Sequence, residues 1–142
     1  MNNYEQRIVL MADDDEDDCM LAREAFEESK VEVGFYCVED GMKLLEYLFR
    51  SGEYESLSQT PLPVLILLDL NMPKKDGRQA LKEIKSNPSL QHIPIVVLTT
   101  SREEKDIAFS REMGAKSFIT KPDAFDEWVE TMRSLESLLI SS

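Results

Sequence analysis

At 142 residues and 42% hydrophobic content, the chain is sized for one domain whose core buries close to ~70% of the unfolded surface. A formal net charge of −12, from 28 acidic against 16 basic side chains, argues against nucleic-acid binding and against docking on an anionic membrane, since both need a basic face. No run approaches the ~18 apolar residues of a membrane span and Met1 to Gln6 is polar. Cys19 and Cys37 show neither metal spacing nor a redox motif, so the expectation is a cytoplasmic protein with reduced thiols.

In chain order, Ile8-Val9-Leu10-Met11-Ala12 reads as a buried strand that runs straight into Asp13-Asp14-Asp15-Glu16-Asp17-Asp18. The later acids suit the first turn of a helix, about Asp17 to Ser29, where the dipole favours negative charge. Asp13 and Asp14 differ, because they stand at the strand end. Val33 to Val38 is a second strand, and Met42 to Arg50 a helix with Leu44, Leu45, Leu48 and Phe49 on one face. Ser51 to Leu62 reads as a long surface loop.

The segment from Val64 to Leu68 is apolar throughout, as in a strand buried on both faces, and it ends in Asp69 before a Met72-Pro73 turn and Gly77. A lone Asp there most often just caps the turn, but in an open parallel sheet the groove outside the carboxyl ends of the strands is where ligands bind. If strands one and three are neighbours, Asp13, Asp14 and Asp69 converge. Two such charges about 4 Å apart repel by ~4 kcal/mol at an effective dielectric near 20. Either one carboxyl keeps its proton or a hard divalent cation neutralises the cluster, and an incompletely filled all-oxygen site suits Mg2+.

Helix three spans about Arg78 to Ser86, strand four Ile95 to Leu98, and helix four Glu103 to Met113, closed by Gly114. Strand four is followed by Thr99, and strand five, Ser117 to Thr120, by Lys121-Pro122. Singly, Thr99 is an ordinary helix cap and Lys121 a surface cation. Together with three carboxylates at the same sheet edge they make a phosphoryl site. Helix five carries Phe125, Trp128, Val129, Met132, Leu135 and Leu139 at helical spacing, with Leu138-Leu139-Ile140 read as the end of that stripe or as an apolar docking patch. Alternating strands and helices imply an α/β fold, a doubly wound parallel sheet with helices on both faces.

The acidic pair Asp13-Asp14, the run Asp69-Leu70-Asn71-Met72-Pro73 through Asp76-Gly77, Thr99, and Lys121-Pro122 resemble the receiver domain of two-component response regulators over roughly residues 7 to 138. The resemblance implies a flavodoxin-like five-stranded sheet of order 2-1-3-4-5. It makes Asp69 the phosphoacceptor, served by a histidine kinase in a Mg2+-dependent phosphorelay, with Mn2+ or Ca2+ as substitutes. Asp14, Asp69 and the Asn71 carbonyl would hold the metal, with Asp13 acting mostly through a metal-bound water. Thr99 and Lys121 would grip the phosphoryl oxygens, Thr99 and Phe118 would form the switch, and the Lys121-Pro122 bond would be cis.

Ile66 to Asn71, His92 to Ser101 and the long connection after helix two are similar to the stand-alone regulators of bacterial phytochrome-type kinases. Residues 1–142 are therefore expected to be a single receiver without an output domain, pairing as a homodimer through helix four, strand five and helix five. The alternatives are a phosphatase with an aspartyl nucleophile, for which Asn71 stands where a second acid is needed, and an unphosphorylated adaptor.

Overall fold

In the computed structural model, residues 7–57 and 60–140 are described. The polar start through Gln6 and residues 58–59 of the expected loop lie outside them, as does the Ile140 side chain. Five strands, β1 (Ile8–Ala12), β2 (Gly34–Val38), β3 (Leu65–Leu68), β4 (Ile95–Thr99) and β5 (Ser117–Thr120), form one parallel sheet of order β2-β1-β3-β4-β5. Side chains alternate across it as the pleat requires. Leu10, Ile66, Leu68, Ile95 and Val97 enter one core layer, while Val9, Met11, Leu65, Leu67, Val96 and Leu98 enter the other. Burial on both faces is why β3 and β4 read as unbroken apolar runs.

The first layer is closed by α2 (Gly41–Phe49) and α3 (Gly77–Lys85), the second by α1 (Glu16–Glu28) and α5 (Phe125–Ser134), which pack on each other. Asp15 caps α1, Asp40 caps α2 and Asp76 caps α3, each accepting backbone N–H groups of its own first turn. After α4 (Glu104–Glu112), Gly114 takes φ +87°, the left-handed conformation expected of it.

Five expectations are corrected. The apolar stripe of helix five is interrupted at Leu135, and a short α6 (Glu136–Ile140) follows. Leu135 and Leu139 are still buried, because the stripe meets the same core across the break. Phe49 is 50% exposed at the end of α2, and a 3-10 helix, Gly52–Leu57, occupies the expected loop, burying Tyr54 against Tyr36 and Tyr47. The Lys121-Pro122 bond is trans, as are all peptide bonds among the described residues. The Lys121 N–H stays in the ladder, donating to the Thr99 carbonyl at 2.9 Å, so the side chain reaches the cleft without a cis turn. Cys19 and Cys37 are joined as a disulfide between α1 and β2. Their Cα atoms are 6.5 Å apart, because a helix start and a strand end face each other behind Asp13.

Candidate functional site

Asp13 and Asp69 leave neighbouring strands together. The Asp13 N–H donates to Val38 and the Asp69 N–H to Ala12, so both carboxylates emerge at one edge, 2% and 6% exposed. Asp14, the next residue, faces solvent. One oxygen from each of Asp13, Asp14 and Asp69 can lie within 4.8 Å of the others.

The Asp69 carboxylate is held by three donors. Its Oδ1 accepts the Thr99 hydroxyl at 2.8 Å and the Asn71 N–H at 3.2 Å, and its Oδ2 accepts the Lys121 ammonium at 3.3 Å. Thr99 is fully buried at the end of β4. Asn71 is exposed on the loop after β3, which is pinned because the Gly77 N–H donates to the Leu70 carbonyl at 2.9 Å. A Cβ on Gly77 would collide with the Asp69 carbonyl and stand 2.7 Å from Leu70 Cα. Glycine is required there by that close approach.

Lys121 Nζ lies 2.8 Å from Asp13 Oδ2 and 2.7 Å from Asp18 Oδ2, with its side chain 8% exposed. Burial opposes its charge, yet the bonds to Asp13 and Asp18 hold its pKa above the usual lysine value. Burial pushes the Asp13 carboxyl up to about 6, against the lowering influence of Lys121. Asp13 Oδ2 is buried and paired ionically with that ammonium. Three carboxylate oxygens within 4.8 Å of one another, two of them on buried side chains, fit a small divalent cation, which takes hard oxygen donors.

The expected set Asp13, Asp14, Asp69, Thr99 and Lys121 is thus brought together, with Asn71 at its rim. Phe118 stands apart, half-buried on β5 against the first core layer, beside a cavity of about 290 Å³ that Ile107 and Ser110 also line. Two contributors are absent from the sequence reading. Asp18, one of the acids assigned to the helix start, is a direct partner of Lys121. Arg78 grips Asp106 through two hydrogen bonds, Nε to Oδ1 at 2.7 Å and Nη2 to Oδ2 at 2.8 Å. Asp106 is 2% exposed, and the Arg78 bond with that of Ser101 holds its carboxyl down at about 2.

Comparison with known proteins agrees with this geometry. The response regulator Rcp1 of Synechocystis sp. is 38% identical over 136 residues, covering 96% of this chain and 90% of that one. Among solved structures, the Mn(2+)-bound form of Rcp1 superposes with a TM-score of 0.82 at 39% identity, covering 92% of each chain. The phosphorylated cyanobacterial phytochrome response regulator RcpA superposes with a TM-score of 0.85 at 40% identity, covering 96% of this chain and 95% of its own. Residues 9–133 match the response regulator receiver domain, and the chain belongs to that family.

Proposed function

We propose that Asp69 accepts a phosphoryl group from the phosphohistidine of a sensor histidine kinase, and that this acyl phosphate is the signal. The P–N bond to histidine breaks as a P–O bond to the Asp69 carboxylate forms. The observation that carries the reading is the Asp69 carboxylate itself, nearly buried and ringed by Thr99, the Asn71 N–H and Lys121. Asp13, Asp14, Asp69 and the Asn71 carbonyl would hold Mg2+, or Mn2+ as in Rcp1, which neutralises charge on the transferring group. Lys121 and Thr99, both bonded to the Asp69 carboxylate, would hold the phosphoryl oxygens that Asp69 would then carry.

Asn71 occupies the position where aspartyl phosphatases need a second acid, which supports a switch over an enzyme. Likeness to Rcp1 and RcpA along most of their length supports a stand-alone cytoplasmic receiver paired with a phytochrome-type kinase. In the switch, Thr99 moves toward the phosphoryl group and Phe118 turns into the space it leaves. A ring without a hydroxyl strands no polar group on burial. The face of α4, β5 and α5 then reports the state by pairing with a second copy, supported by exposed Asp126, Glu127, Glu130 and Arg133 of mixed sign. Two-fold pairing is the commonest symmetry.

Intact mass after incubation with Mg2+ and acetyl phosphate is the test. A single adduct of ~80 Da is expected, absent without the cation and absent in Asp69→Asn. Stoichiometric labelling of that variant would sink the assignment. Sedimentation of the labelled and unlabelled protein tests the pairing, and a monomer in both states would remove the dimer from the mechanism.

A further inference from the structure

The bidentate contact between Arg78 on α3 and Asp106 on α4 joins two helices beside the acidic cleft. Its members are 28 residues apart, and Asp106 is almost wholly buried at the start of its helix. Each partner is tied to one side of the acidic cleft. The Arg78 guanidinium donates through Nη1 to the Leu70 carbonyl and the Asn71 side-chain oxygen, both at 3.4 Å, and to Asp76 at 3.1 Å. Those bonds fall on the peptide between Asp69 and the Asn71 carbonyl. Asp106 accepts the Ser101 hydroxyl at 2.6 Å, and Ser101 lies two residues beyond Thr99, whose own hydroxyl is bonded to Asp69. The result is a closed circuit. It runs from Asp69 through Thr99 and Ser101 to Asp106, across to Arg78, and back to Leu70 and Asn71.

We propose that Arg78 and Asp106 form a positioning pair that aims the Leu70–Asn71 loop at the divalent cation and links the filling of that site to helix α4. The inference rests on the reading of Asp13, Asp14, Asp69 and Asn71 as the cation site. Its physical basis is the fork. A guanidinium fixes two planar directions at once, so a carboxylate that grips one side sets the angle at which the other meets the loop carbonyl. Lysine at 78 keeps the charge and loses the fork. Partners that orient a ligand in this way typically contribute 10–100-fold to metal affinity, by order of magnitude. Because Asp106 is part of α4, any shift of the loop toward a cation is transmitted to that helix.

The test is calorimetric titration of Mn2+ into the wild type, Arg78→Lys, Asp106→Asn and the double variant. Each is first shown to be folded by its circular dichroism and thermal transition. Hydrogen exchange of α4 amides is followed with and without the ion. The expected result is about a 10-fold weaker Kd in each single variant, with the double variant no weaker than the worse single, since one unit is broken once. The wild type is expected to change α4 protection on binding Mn2+, and the variants to lose that change. Affinities within twofold of wild type, additive losses, or an α4 response that survives in the variants would each overturn the proposal. If the wild type binds no Mn2+ and takes no phosphoryl group from acetyl phosphate, the site itself is misassigned and the pair has nothing to position.

Discussion

Replacing Lys121 with methionine keeps most of the apolar stem and removes an ammonium placed within 2.8 Å of Asp13, 2.7 Å of Asp18 and 3.3 Å of Asp69. Breaking a buried ion pair commonly costs ~3–5 kcal/mol, because a charge is left unpaired. Here the loss is smaller, because Asp13 can take up a proton. Its carboxyl already titrates at about 6 in the folded protein against an ordinary value of 3.8. Without Lys121, whose contacts lower it, that value rises further. The added cost through Asp13 is then limited to the one pH unit between 6 and 7, about 1.4 kcal/mol. The sign follows from proton counting. A carboxyl whose folded pKa is raised makes the folded state bind more protons, so stability falls as pH rises from about 4 to about 6 in the wild type. In the variant that fall continues to higher pH. At about pH 5 both proteins hold Asp13 largely protonated, so the part of the difference that runs through Asp13 should nearly vanish, leaving the lost contacts to Asp18 and Asp69. Urea denaturation in the presence of EDTA, at the two pH values, measures both quantities. A loss that is equal at both pH values would refute the proton argument, since none of it would then run through the protonation of Asp13.

Gly77→Ala should lower stability by ~2 kcal/mol and slow labelling of Asp69, because its Cβ meets the Asp69 carbonyl in a packed turn; an unchanged urea midpoint would contradict the contact. Asp106 is depressed to about 2 from 3.8, so its contribution is present above about pH 4 and lost as pH falls through about 2. The thermal midpoint of the wild type should therefore exceed that of Asp106→Asn at about pH 5 and converge with it near pH 2, as followed by circular dichroism. Phe118→Ala should leave the ~80 Da adduct intact while abolishing any phosphorylation-dependent change in sedimentation, and a retained change would uncouple Phe118 from the response.

β1, β3 and β4 are legible because a parallel strand buried on both faces is written as a continuous apolar run, and the residue after each run lands at the sheet edge; the order of the five strands rests on the resemblance to receiver domains. That is why Asp13, Asp69, Thr99 and Lys121 could be placed together from the sequence alone. Asp18 could not be separated from its neighbours, since every acid in the first turn of α1 satisfies the same dipole. Only the angular position of the helix against β5 picks out the one that reaches Lys121. The Arg78–Asp106 contact has no local signal at all, being set by how α3 and α4 lie on the sheet. The cysteines show the same limit. Spacing of 18 residues is no motif, and their meeting follows from the register that places Cys37 beside Met11 under the start of α1. The break at Leu135 has no signature because the apolar stripe continues on the far side of it.

The two outer strands carry a consequence for behaviour in concentrated solution. β2 and β5 end the sheet, and an outermost strand is a template onto which another chain can anneal. Neither is long, at five and four residues, and β5 is bracketed by Lys116 and Lys121 while β2 is followed by Glu39 and Asp40. A formal charge of −12 adds repulsion between molecules at neutral pH, which screening by salt weakens. The same acids that furnish the cleft thus contribute to colloidal stability, and acidifying to the isoelectric point near pH 4.5, where the remaining carboxylates just balance the bases, would remove the barrier that keeps these ribbon edges from growing into one another.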